Sequence, residues 1–204
     1  MDLAFKDRFA DTALSLKKSE NYCIYIVLSH SSSVISKAIY LYTRDEYTHA
    51  SISIDRNLEA LYGFGRKWPR FPFIGCLRRE LMDQGFYSLC KTVPGLILKF
   101  DVTEEQYRRI KRLLSFYVKN KDLFKYNFLG FFGYMFKTEI RSKRRFTCSE
   151  FVAHLLQSAQ VVKFDKPLNL IRPQTFTELG GQIVYKGDLK SFFKNLEKNN
   201  SLIV

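Results

Sequence analysis

The chain lacks paired cysteines: Cys23, Cys76, Cys90 and Cys148 are scattered, with no C-x-x-C pair and no histidine at zinc-ligand spacing. That spacing indicates neither a disulfide framework nor a zinc site, so four free thiols and no metal are expected. No segment reaches the roughly 18 apolar residues of a membrane span. The opening stretch, MDLAFKDRFADTALSLKKSENY, has no apolar run of signal-peptide length beside a small-residue cleavage site. A cytoplasmic location is the resulting expectation. Internal repeats, low-complexity tracts and linkers are also missing, which leaves no boundary for a second domain. With 204 residues, 46% of them hydrophobic and 16% aromatic, the chain can bury one sizeable core. The expectation is one domain over 1–204 with its core at about 22–190.

What is present in excess is positive charge. The formal net charge is +13, drawn from dispersed clusters: Arg66, Lys67 and Arg70; Arg78 and Arg79; Arg108, Arg109, Lys111 and Arg112; and Lys137, Arg141, Lys143, Arg144 and Arg145. Such a face attracts polyanions, anionic lipid heads among them, or simply solvates the surface. No nucleic-acid-binding signature accompanies it, so specific nucleic-acid binding is not expected.

Tyr22–Ser29 (YCIYIVLS) is apolar and rich in β-branched residues, as a buried strand requires, and a serine-rich turn follows over His30–Ser33. A helix is expected over about 33–43. In Tyr47–Asp55 (YTHASISID), His49, Ser51 and Ser53 share one face and Ala50, Ile52 and Ile54 the other, which is strand alternation. Leu58–Phe64 reads as the second strand of a hairpin turning at Asp55–Asn57. The stretch 65–95, with Pro69, Pro72 and Pro94, reads as an excursion or arm with few regular elements, before Leu96–Val102 resumes as a strand. Thr103–Lys119 is an amphipathic helix with Thr103 and Gln106 spaced as a capping box. Asn127–Phe136 (NFLGFFGYMF) is too short to span a membrane and reads as a packed loop, a short helix or a membrane-contact patch. A second amphipathic helix covers Phe146–Gln160, a strand Gln182–Lys186, and a charged helix ends the chain. The fold class is α+β.

In Thr147–Glu150 (TCSE) the threonine can cap a helix and the glutamate stands three residues on, which sets Cys148 in the first helical turn. The unpaired amides there stabilise a thiolate, the nucleophilic form of cysteine, and can donate to an oxyanion. A nucleophilic cysteine needs a base, and His49 on the polar face of its strand is the candidate. His30, at a strand end in the serine-rich loop, can line the same cleft or shape the turn. His154 lies six residues into the Cys148 helix and points away from its first turn.

The order of these segments, SHSSS, EYTHASISID, LYGFGRKWPRFPF, KYNFLGFFG, RFTCSEFVAHLL and FDKPLNLIRPQTF, resembles the circularly permuted NlpC-like, YiiX-like branch of the papain-like cysteine hydrolases. The likeness spans roughly residues 22–190. It implies a permuted papain-like fold, with the histidine strand ahead of the cysteine helix and an antiparallel sheet packed on that helix. It implies Cys148 as nucleophile, His49 as base, and a polar third residue on the strand after the histidine strand. If the hairpin turns over Arg56 and Asn57, Ser51 pairs with Tyr62 and Tyr62 orients His49; a register pairing Ser53 with Glu59 makes Glu59 the orienter instead. Tyr126 resembles the substrate-contacting tyrosine of cell-wall peptidases in the superfamily, with a core role as the alternative. Ser149, Ser51 and His30 complete the substrate-contacting candidates.

The reading is a thiol hydrolase, amidase- or peptidase-like, cleaving an amide or ester through an acyl-enzyme without metal or organic cofactor, on cell-wall-derived peptides or other acylated molecules. Two alternatives stand beside it. One is a lipid-acting acyltransferase or phospholipase-like enzyme, after relatives resembling lecithin retinol acyltransferase, with the aromatic stretch and basic surface at a membrane interface. The other is a catalytically silent binding module with a basic surface.

Overall fold

A strand that is apolar on both alternations can be satisfied only if both of its faces are covered. Cys23–Ser29 (β1) is such a strand, buried from Ile24 to Ser29. The computed structural model of the chain, which describes residues 22–30, 40–41, 43–68, 71–85, 87–127 and 142–201, is α+β. The strands that follow are His49–Ser53 (β2), Tyr62–Trp68 (β3), Phe71–Arg79 (β4), Pro94–Asp101 (β5), Lys125–Tyr126 (β6), Arg145–Phe146 (β7) and Gln182–Asp188 (β8). Together they form one sheet in the order β7-β6-β4-β3-β2-β1-β5-β8. Every pairing is antiparallel except β6 with β7. The described helices are Glu104–Lys119 (α1), Cys148–Ser158 (α2) and Leu189–Ser201 (α3).

The two faces of β1 feed two cores. Ile24, Ile26 and Leu28 join Ala50, Ile52, Phe64, Leu96 and Leu98 beneath α1 and α2. Tyr25 and Val27 join Leu58, Leu61, Met82, Tyr87, Val93, Ile97 and Leu189 on the other side. An aromatic cluster seats α2 on the sheet: Phe151 packs on Phe64 at 5.2 Å between ring centroids, and Tyr117 of α1 packs on Phe151 at 5.3 Å. Edge-to-face contacts of this kind add to the burial of large rings, so truncating a ring such as Phe64 costs about 3–5 kcal/mol.

The capping box expected at α1 is present, with Gln106 N–H donating to Thr103 Oγ1 at 3.2 Å and Thr103 N–H to Gln106 Oε1 at 3.0 Å. The stretch 65–95 departs from expectation. It is not an arm with few regular elements but holds most of β3 and all of β4, which are neighbours inside the sheet, and the start of β5. Proline disguised this: Pro72 lies in β4 close to a register shift between Arg66 and Trp68, the sort of irregularity where a strand tolerates a missing N–H. The expected strand over 58–64 begins only at Tyr62. Of the helix expected over 33–43, residues 40, 41 and 43 are described and are helical; 31–39 and 42 lie outside the described residues. So do residues 128–136 of the aromatic run, together with Lys137, Arg141 and Arg70 of the basic clusters. Among the described residues no helix is long and apolar enough to cross a membrane. All four cysteines are free.

Candidate active site

The helix that carries Cys148 begins as TCSE predicts. Thr147 Oγ1 accepts the Glu150 N–H at 3.2 Å, and Glu150 Oε2 accepts the Thr147 N–H at 3.1 Å. Burial pushes the Glu150 carboxyl above its usual range, and Asn127 Nδ2 donates to it at 3.4 Å. This reciprocal cap consumes the donors of Thr147 and Glu150 and leaves those of Cys148 and Ser149, which no earlier helical carbonyl can accept. The Ser149 amide and the Ala50 amide of β2 lie close enough to the Cys148 sulfur to favour its thiolate.

His49 opens β2, and strand alternation sets it with Ser51 on the sheet face opposite Ala50 and Ile52. Its ring lies beside the Cys148 thiol, within electrostatic reach of it, so the structure brings together the two residues read from the sequence as nucleophile and base. The Cys148 residue is only 5% exposed, and the His49 side chain 18%. His49 Nε2 is taken up by Glu80 Oε1 at 2.8 Å, which leaves Nδ1 as the nitrogen available to act as a base. Glu80 stands one residue past β4, where its N–H donates to the Leu61 carbonyl at 2.8 Å. Its other oxygen, Oε2, accepts Ser51 Oγ–H at 2.5 Å and Tyr87 O–H at 3.5 Å.

Electrostatics follow from this packing. Burial opposes a charge on His49, but the Glu80 carboxylate, with Tyr87 and Cys148, outweighs it and holds the imidazole pKa well above 6.5. Burial likewise opposes the thiolate. The imidazolium beside it and the Ala50 and Ser149 amides outweigh that penalty and hold the Cys148 pKa below 9.0. Glu80 is depressed below 4.5: burial raises it, while His49, Ser51 and Arg78 together lower it further. Both shifts favour the charged forms, a thiolate beside an imidazolium with a carboxylate behind it.

A third segment ties α2 to β2. Ser149 Oγ donates to the Ile171 carbonyl at 2.6 Å. The next residue, Arg172, donates through its Nη1 to both oxygens of Asp45, at 2.8 and 3.0 Å, and Gln174 Oε1 accepts the Tyr47 N–H at 3.3 Å. Residues 171–174 thus hold the start of the cysteine helix and the approach to the histidine strand at a fixed offset.

Several expected site residues fall elsewhere. Tyr62 pairs with Ile52 rather than Ser51, which turns it to the face opposite His49. The cause is the turn: Asp55 Oδ1 accepts the Glu59 N–H at 3.0 Å and Oδ2 the Ala60 N–H at 2.8 Å, building a loop longer than the one over Arg56 and Asn57. Glu59 is exposed in that loop and its carbonyl accepts Arg79 Nε, so it is not the orienter either. Ser149 spends its hydroxyl on Ile171, and Ser51, 1% exposed, spends its own on Glu80; neither hydroxyl faces substrate space. Tyr126 is half-buried on β6 against the first core, with Gly75 beneath its ring. The His30 ring holds the Glu46 carbonyl at 3.1 Å, which is the turn role. His154 bonds Tyr117 OH at 2.9 Å inside the aromatic cluster, away from the thiol.

Sequence reading missed Glu80, Tyr87, Asp45 and Arg172. Glu80 had one available signal, the FPFIGCL run just before it, which has strand composition in spite of its proline. Tyr87 and the Asp45–Arg172 pair had none, since nothing local marks them. No family model, curated protein or solved structure matches the chain.

Proposed function

We propose that the chain is a cysteine hydrolase that cleaves an amide or ester bond through an acyl-enzyme, with Cys148 as nucleophile, His49 as general base and acid, and Glu80 as the residue that positions His49. One observation carries this reading: a thiol at a capped helix start lies beside an imidazole whose Nε2 is held by a buried carboxylate at 2.8 Å. The permuted papain-like assignment belongs to the same proposal, supported by the histidine strand preceding the cysteine helix and by the antiparallel sheet beneath that helix.

The Cys148 thiolate adds to the substrate carbonyl carbon, and the carbonyl π electrons pass to oxygen, where the Cys148 main-chain N–H, uncommitted to any helical carbonyl, can donate to the charge. The intermediate collapses by breaking the bond to the amine or alcohol, which takes the proton from His49 Nδ1. A water then gives its proton to the same nitrogen as it attacks the thioester, and the acid leaves as the thiolate re-forms. Glu80 keeps its proton count throughout: it stabilises the imidazolium and fixes the ring. Small peptides and acylated small molecules in the cytoplasm are the proposed substrates. The lipid-acting alternative rests on the basic surface and on the aromatic run, of which residues 128–136 lie outside the described residues.

A panel of acyl electrophiles applied near neutral pH, with the modified residue mapped by mass spectrometry, tests the proposal. Acylation concentrated on Cys148 and lost in His49→Ala is the expected result. Equal modification of Cys23, Cys76, Cys90 and Cys148 would overturn it.

A further inference from the structure

The buried side of Glu80 carries more hydrogen-bonding groups than a simple orienting carboxylate needs. Ser51 Oγ lies 2.5 Å from Glu80 Oε2 and 3.2 Å from His49 Nε2, so it touches both members of the pair. Tyr87 OH lies 3.5 Å from the same Oε2, and Ser29 Oγ lies 3.1 Å behind Tyr87 OH. Ser29 and Ser51 are each 1% exposed and Tyr87 8%.

Counting protons fixes every direction in this chain. An ionised carboxylate only accepts, and each hydroxyl has one proton to give. Ser51 and Tyr87 therefore both donate to Oε2, Ser29 donates to the Tyr87 oxygen, and the proton on His49 Nε2 points at Oε1. With Oε2 engaged by two neutral donors, the carboxylate is held toward His49. When His49 gives up a proton, the imidazole is then held in the one tautomer whose Nδ1 is the basic nitrogen.

We propose that Ser51 and Tyr87, backed by Ser29, are positioning residues that lock Glu80, and through it the tautomer and rotation of His49. This rests on the thiol-hydrolase reading above and extends it to residues that touch neither the thiol nor a substrate. The titratable and charged groups around Glu80 are His49 from β2, Tyr87 from the short helical turn at Tyr87–Leu89, and Arg78 from β4, with Cys148 of α2 beyond His49.

The test is the pH profile of Cys148 alkylation by iodoacetamide in the full chain, read by mass spectrometry for wild type, Ser51→Ala, Tyr87→Phe and Glu80→Gln, with thermal melting run alongside. Tyr87→Phe keeps the ring and so leaves the second core filled. In both hydroxyl-deletion variants the thiolate limb is expected to move toward higher pH, and the rate near neutrality to fall by about three- to thirty-fold, between wild type and Glu80→Gln. Profiles of Ser51→Ala and Tyr87→Phe that superpose on an acid-shifted wild type would overturn this lock while leaving the hydrolase reading intact. A wild-type profile with an ordinary thiol midpoint would overturn both. A variant that melts earlier yet keeps the wild-type profile has lost packing alone, which also counts against the lock.

Discussion

Glu80 Oε1 sits 2.8 Å from His49 Nε2 across a strand that belongs to neither residue. That strand is β3, and its residue at the crossing is Gly63. A Cβ on Gly63 would stand 2.8 Å from Glu80 Oε1 and 2.9 Å from Ser51 Oγ, closer than real Cβ atoms approach. Gly63→Ala should therefore displace the carboxylate, lowering stability by about 1–3 kcal/mol and depressing Cys148 reactivity. Denaturant melts and alkylation rates on the same sample check both effects; unchanged reactivity would mean Glu80 does not orient His49.

Glu80→Gln keeps the size of the side chain but replaces the carboxylate with a neutral amide that no longer favours the imidazolium. Acylation of Cys148 should slow by roughly 10²- to 10⁴-fold. The stability difference between wild type and variant carries a definite pH sign. Because the Glu80 pKa is depressed in the folded protein, its contribution is present above 4.5 and fades as pH falls through the lower folded value. His49 runs the other way: its pKa is raised, so its contribution is complete below 6.5 and is lost as pH rises through the folded value. Chemical denaturation at a series of pH values resolves the two windows.

The cap on α2 contributes to both fold and chemistry. Thr147→Ala removes the acceptor for the Glu150 N–H and should cost about 1 kcal/mol. It also loosens the turn that aims the Ser149 amide at sulfur, so the Cys148 pKa should rise toward 9.0. Thr147→Ser should restore both, as read by melting and by a thiolate absorbance titration.

Asp45 and Arg172, 127 residues apart, fasten the histidine strand to the segment behind the cysteine helix. The Asp45 side chain is 8% exposed, and burial already raises its pKa despite Arg172. Arg172→Ala leaves that carboxylate without its bidentate partner and should destabilise the protein by about 1–3 kcal/mol. Adding Asp45→Asn should recover part of the loss. A double-mutant cycle measures the coupling, and simple additivity would mean the pair is not a clamp.

The site was half legible in the sequence. Cys148 and His49 could be read because each sits in a local pattern, a capping box and a strand alternation, that fixes its side chain's direction without knowledge of the rest. The strand over Cys23–Ser29 and both capped helices were legible for the same reason. The orienting residue was not, because the Asp55-centred loop sets the register of β3 through side-chain bonds to the Glu59 and Ala60 amides. A shift of one residue in that register turns Tyr62 away and brings Gly63 under His49. Glu80 then enters from a strand that Pro72 had hidden. Tyr87 and Arg172 reach the site only through tertiary packing, for which a single sequence offers no periodicity.

The proposed chemistry requires that Cys148 be a thiolate paired with the His49 imidazolium. The most direct measurement is the rate of Cys148 alkylation against pH in wild type and His49→Ala, with Cys23 in the same chain as the internal standard. A Cys148 midpoint well below 9.0, moving up in His49→Ala while Cys23 stays put, is the predicted result. A Cys148 midpoint that matches Cys23, or one that ignores the histidine substitution, would contradict it.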